Sequence, residues 1–149
     1  MFKKILYPVD LAHADFAAQF APTIERIAGT FEAQIGVMTV MPGFGMAIVA
    51  SYFPPDAEKK ARQGVERELE AFVQKAFTRP VRRRVEQGTH WKRIVKVAKA
   101  DQVDLIVMPH CDKGWTENVL VGSCAQKVME RAPCSVLLLR PDDRGSCPA

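Results

Sequence analysis

The sequence predicts a three-layer α/β domain with a five-stranded parallel sheet, and three observations carry that prediction. Short apolar runs rich in Ile, Val, Leu and Met recur along the chain, each bounded by polar or turn-forming residues, as buried strands are. Between them lie segments whose apolar residues repeat at helical spacing. The two kinds of segment alternate, and strands that alternate with helices pair in parallel through right-handed crossovers, with helices on both faces.

Residues 4–9 form the first strand. Phe16, Phe20, Ile24 and Ile27 then recur at helical spacing as far as Gly29, which reads as the helix stop. Residues 34–41, with Ile35, Val37, Met38 and Val40, make the second strand and end at Pro42 and Gly43. The connection from Met41 to Pro55 is apolar but broken by Gly and Pro. It reads as a loop folded over its own core, with a lid or a partner surface as alternatives. Residues 56–77 form a charged amphipathic helix with Ala61, Val65, Leu69, Phe72 and Val73 on one face. A third strand spans 81–87. Arg79, Arg82, Arg83 and Arg84 read as the solvated side of an edge strand, where charge blocks unwanted pairing, rather than as a nucleic-acid contact. Gly88 and Thr89 form a turn, and residues 90–100, carrying Trp91, Ile94, Val95, Val97 and Ala98, form the next helix.

Asp104 leads into Leu105, Ile106, Val107 and Met108, the fourth strand, and a loop begins at Pro109. Gly122 and Ser123 open a helix over 124–131, with Ser123 placed to N-cap it and leave backbone N–H groups facing an anion. The last strand runs from Ser135 to Arg140. The domain is set at residues 1–141, and residues 142–149 have the composition of a loose tail.

At 149 residues the chain has the length of one domain and would bury roughly 68–70% of the surface its unfolded form exposes. No apolar run is long enough to span a bilayer, so no membrane insertion is expected. The start MFKKILYPVD is too short in its apolar part for a secretory signal, which gives a cytoplasmic expectation. A net charge of +4 favours anionic small molecules or acidic partners without implying nucleic acid. Cys111, Cys124, Cys134 and Cys147 lack Cys-x-x-Cys spacing and are expected to be free thiols, and nothing in the sequence supports redox sensing by Cys111. His13, His90 and His110 are scattered, so no metal site is expected. No Ser/His/Asp or Cys/His set is evident, so no catalytic residue is assigned.

The stretch from Asp104 to Arg140 resembles the universal stress protein family, whose nucleotide-binding members carry glycine, two residues, glycine, nine residues, then glycine followed by Ser or Thr. Gly122 and Ser123 match the last pair at the right spacing, while the two earlier glycines fall on Pro109 and Asp112. Ile5, Leu6, Tyr7, Pro8, Val9 and Asp10 are similar to the family's first strand and acidic residue, and the resemblance covers nearly all of the chain before the tail.

That resemblance implies a strand order of 3-2-1-4-5 in a Rossmann-like sheet of the adenine nucleotide alpha hydrolase-like type. It also implies an adenine nucleotide ligand, ATP or AMP, with Mg²⁺ accompanying ATP. By position, Asp10 falls on the ribose or adenine side; an Asp there also caps the following helix, and the two readings stand together. Pro8, Val9 and Val40 supply backbone contacts and an apolar wall for the base, with Met108 as a further contact. Gly122, Ser123 and Cys124 form the phosphate cradle. Against that cradle, Pro109 has no N–H to donate and Asp112 adds a negative charge. One carboxylate–phosphate pair at about 4 Å costs roughly 1 kcal/mol in water and about 4 at an intermediate dielectric. Lys113 is placed to offset it, unless Asp112 faces solvent or shares a divalent cation with the phosphates. Trp115, in the same loop, would stack on a ligand or, more commonly, close the loop over the core.

The family resemblance further implies a homodimer through Ser135 to Arg140 and a regulatory role in stress responses, with the downstream partner open. The alternative is a nucleotide-free interaction module of the same fold, for which Pro109 and Asp112 mark the lost ligand. A slow nucleotide hydrolase ranks below both, and a flavoprotein relative below that.

Overall fold

The computed structural model describes residues 1–43, 51–111, 122–142 and 147–148. Five strands, β1 (Lys4–Pro8), β2 (Gln34–Met41), β3 (Val81–Gln87), β4 (Leu105–Pro109) and β5 (Ser135–Leu139), form one sheet in the order β3-β2-β1-β4-β5, every neighbouring pair parallel. Between them run α1 (Ala14–Ala18), α2 (Ala21–Phe31), α3 (Ala57–Ala76), α4 (His90–Ala100) and α5 (Ser123–Arg131). This is the expected fold, order included.

The period of two in the strands divides the core. Ile5, Tyr7, Ile35, Val37, Leu105 and Val107 point to one face and bury Ala17 of α1, Ile24 and Ala28 of α2, and Leu69, Phe72 and Val73 of α3. Leu6, Met38, Val40, Ile106 and Met108 point to the other and bury Ile94 and Val97 of α4 and Ala125 and Val128 of α5. Because both faces are covered, the central strands are apolar on both sides, which is why they read as runs rather than as alternation. Burial pushes the Tyr7 hydroxyl far above its ordinary pKa. That hydroxyl donates to the Ala17 carbonyl at 2.8 Å, which ties β1 to α1.

Two expectations about local structure are corrected. The helix after β1 is not continuous: it breaks between Ala18 and Ala21, because Pro22 sits in the first turn of α2 and lacks the N–H an unbroken helix would need. Gly29 does not stop α2, which runs on to Phe31 and ends at Glu32 in the left-handed conformation (φ 53°), whose N–H bonds back to Ala28 and Gly29 carbonyls. Ile24, with its side chain in the core, anchors this second piece.

β3 is an edge strand with Arg82, Arg83 and Arg84 exposed, and Arg83 and Arg84 are paired with Glu70 at 3.5 Å and Asp101 at 3.1 Å. Of the Met41 to Pro55 connection, residues 44–50 lie outside the described residues; Tyr52 and Phe53 are exposed. Among the described residues no helix is long and apolar enough to cross a membrane.

Candidate functional site

β1 lies between β2 and β4, so the chain fills one side of the sheet and then crosses to the other. The helices that follow β1 and β4 diverge at the strands' carboxyl ends, and a crevice opens there. It is a cavity of about 490 Å³, within the range of sites for small organic ligands. Of the residues expected at the site, Pro8, Val9, Asp10, Val40, Met108, Pro109, Gly122 and Cys124 all line it. Lys113, like Asp112 and Trp115, lies outside the described residues.

One half of the cavity is built from the ends of β1 and β2. The Val9 N–H donates to the Met38 carbonyl at 2.8 Å, and the buried Thr39 hydroxyl donates to the Val9 carbonyl at 2.9 Å. These bonds hold Val9 and Val40 at fixed positions, with Phe16 of α1 and Ile94 of α4 adding apolar surface from the two layers. Asp10 caps the 3-10 turn Leu11–His13, its Oδ1 accepting from the Ala12 N–H at 3.0 Å. The capping reading of Asp10 is therefore realised, and the exposed carboxylate still borders the cavity.

The other half is built from the end of β4 and the start of α5. The N-cap of α5 is Gly122, not Ser123, and no side chain caps it; Ser123 is the first helical residue, exposed, and does not line the cavity. The expected cap by Ser123 fails because the helix begins one residue earlier in register. The Gln126 N–H makes the bond to the Gly122 carbonyl at 2.9 Å, so the N–H groups of Ser123, Cys124 and Ala125 precede the intrahelical ladder. They and the helix dipole favour an anion beside Gly122. Burial pushes the Cys124 thiol up from its ordinary value, and the nearby Lys127 only partly opposes this, so it stays protonated at neutral pH.

The cysteine expectation is half corrected. Cys111 and Cys147 form a disulfide, with Cα atoms 5.8 Å apart, whereas Cys124 and Cys134 are free. Nor is the tail loose throughout: Cys147 and Pro148 are half-buried, and Pro148 lines the cavity. Pairing across 36 residues is invisible to spacing rules, because it depends on where the fold brings the tail.

Sequence reasoning also missed Thr39, His13, His90 and His110 as lining residues. Thr39 had a signal, a lone hydroxyl in an apolar strand. The histidines had none, being brought together only by the topology. Among the described residues no three ligating groups gather closely enough to hold a metal ion.

With that geometry in place, comparison with known proteins is decisive on one point. A sequence profile described as the universal stress protein family matches residues 1–140. The chain belongs to that family. It is 28% identical over 148 residues to the universal stress protein MJ0531 of Methanocaldococcus jannaschii, covering 94% of this chain and 83% of that one. Among solved structures it resembles the universal stress protein UspA of Lactobacillus plantarum, at 26% identity and a TM-score of 0.64, covering 93% of this chain and 98% of that one. A universal stress protein crystallised in complex with cAMP shares the fold at a TM-score of 0.62 and 19% identity, covering 93% of this chain and 97% of that one. In this universal stress protein the crevice of the doubly wound fold is bordered by a tail tethered through the Cys111–Cys147 disulfide.

Proposed function

We propose that this universal stress protein is a cytoplasmic regulatory module that binds an adenine nucleotide, ATP or AMP, in the crevice and acts as a homodimer. The observation that carries the reading is that one cavity joins an apolar slot, walled by Val40, Met108, Phe16 and Ile94, to the start of α5, whose first N–H groups have no bond among the described residues. An apolar slot suits a purine base, and helix-start N–H groups suit a phosphate. Family membership supports the ligand class, and so does the cAMP complex of a protein with the same fold.

In this reading the base lies against Val9 and Val40, whose backbone is fixed by the Thr39 hydrogen bond, and Asp10 accepts from the ribose hydroxyls through the oxygen not used by Ala12. The α5 start holds the phosphates. Mg²⁺ arriving with ATP would neutralise phosphate charge that Asp112 otherwise opposes. The homodimer rests on β5, an edge strand whose Val136, Leu137, Leu138 and Leu139 are only half-buried. An apolar edge of that kind is suited to pairing with a second copy.

The nucleotide-free reading keeps one observation in its favour: Pro109 lines the cavity at the phosphate side and has no N–H to offer. Calorimetric titration of the stripped, reduced protein with ATP and AMP, each with and without Mg²⁺, separates the two. Saturable binding is expected, weakened about tenfold by Asp10→Ala and strengthened by Asp112→Gly through relief of repulsion. Silence from the native chain, with binding restored in Asp112→Gly, would establish the nucleotide-free module instead. Sedimentation should give the mass of two chains; a monomer at micromolar concentration would remove the dimer.

A further inference from the structure

The Cys111–Cys147 disulfide joins two places that matter to the cavity. Cys111 lies two residues past the end of β4, next to the buried His110, which donates its backbone N–H to the Leu139 carbonyl at 2.7 Å and so fixes the chain there against β5. Cys147 carries with it Pro148, which lines the cavity together with Cys111, Gly122 and Cys124. The tail therefore enters the same half of the crevice as the leading N–H groups of α5. Pro148 has no N–H and brings apolar atoms to a place where the fold otherwise offers donors to an anion. An anion held there would be partly stripped of water by a group that cannot hydrogen-bond to it.

We infer that the Cys111–Cys147 disulfide is a redox-controlled strap over the anion side of the crevice, so that its reduction opens the cavity and raises affinity for adenine nucleotide. The affinity half of this inference rests on the nucleotide reading above; the opening does not. The step is a thiol–disulfide exchange with an external dithiol. One thiolate of the dithiol attacks either sulfur, forming a mixed disulfide and releasing the other cysteine as a thiolate that takes up a proton. The second thiol then resolves the mixed disulfide. Cys111 and Cys147 gain two electrons and two protons, and the reductant leaves as its own disulfide. Pro148 is then free to leave the cavity with the released Cys147, while β4 and α5 keep their places in the sheet and core.

Two readouts on the full chain test this. Calorimetry with AMP and ATP compares the oxidised native protein, the same protein in dithiothreitol, and the Cys147→Ser variant. Affinity is expected to be at least tenfold higher in the last two, and equal or weaker affinity would overturn the strap. Independently, Cys124 lines the cavity as a free thiol, so its alkylation by iodoacetamide, followed by peptide mass mapping, reports access without any nucleotide. Labelling of Cys124 should be several-fold faster in Cys147→Ser than in the oxidised native chain. Equal rates would overturn the strap even if nucleotide binds. Absence of nucleotide binding in all three forms would defeat the nucleotide reading and the affinity half with it, leaving the strap itself to stand or fall on the Cys124 rates.

Discussion

The two halves of the crevice are held by different means. On the β1 and β2 side every position is set by the sheet: Val9 bonds to Met38, Thr39 bonds back to Val9, and Tyr7 ties β1 to α1 beneath them. On the β4 and α5 side the wall consists of a proline at a strand end, the start of a nine-residue helix that no side chain caps among the described residues, and a tail held by a disulfide. One half is fixed by burial and main-chain hydrogen bonds, and the other by a covalent link that chemistry can undo. A ligand spanning both would gain an immobile seat for one end and a conditional one for the other.

The largest expected effect probes the immobile half. Ile24, wholly buried beneath β1, should cost about 3 kcal/mol when replaced by Ala, through lost transfer energy and the cavity left behind. Urea denaturation should show that loss equally in oxidised and reduced protein; a loss that depended on redox state would mean the two halves are not separate. Next comes the disulfide. It closes a segment of 36 residues containing α5 and β5, and its reduction should lower stability by about 2–4 kcal/mol. Thermal unfolding with and without dithiothreitol measures this, and an unchanged midpoint would show that the tail is held without the bond.

A smaller effect sharpens the same contrast. Thr39→Val leaves the buried Val9 carbonyl without its side-chain donor, and should cost about 1–2 kcal/mol in chemical denaturation. In Cys147→Ser, the same substitution should cost the same amount, because the two sites share no partner. The smallest effect lies at the opposite end of the sheet. The Lys3 and Lys4 backbone N–H groups donate to the Asp104 carboxylate at 2.8 and 2.9 Å and hold its pKa below the usual value. A depressed carboxylate stabilises the fold above its unfolded pKa of about 3.9, and the contribution is lost as pH falls through the folded value. Asp104→Asn should therefore be less stable than the native chain at pH 6, with the difference narrowing below about pH 4. A difference that grew on acidification would refute the sign.

Much of the fold was legible because it rests on periodicity. β2, β3 and α4 occupy the residues that hydrophobic spacing assigns them, and β1 and β4 differ only at an end residue. The strand half of the site was legible for the same reason, since Val9, Asp10 and Val40 follow from knowing where strands end. The other half depends on features that no local pattern encodes. Whether Gly122 or Ser123 caps α5 is a matter of one residue of register, and the sequence offers both. The pairing of Cys111 with Cys147 and the arrival of Pro148 at the cavity follow from the course of the chain after β5. The three histidines share one cavity through topology alone.

An NMR titration of the ¹⁵N-labelled reduced protein with AMP tests the central claim most directly, because it locates the ligand as well as detecting it. The amides of Val9, Asp10 and Val40 should shift together with those of Ser123, Cys124 and Ala125, saturating on one isotherm, as expected of a single ligand spanning both halves. Shifts confined to one half, to the exposed face of β3, or absent at saturating AMP would contradict it.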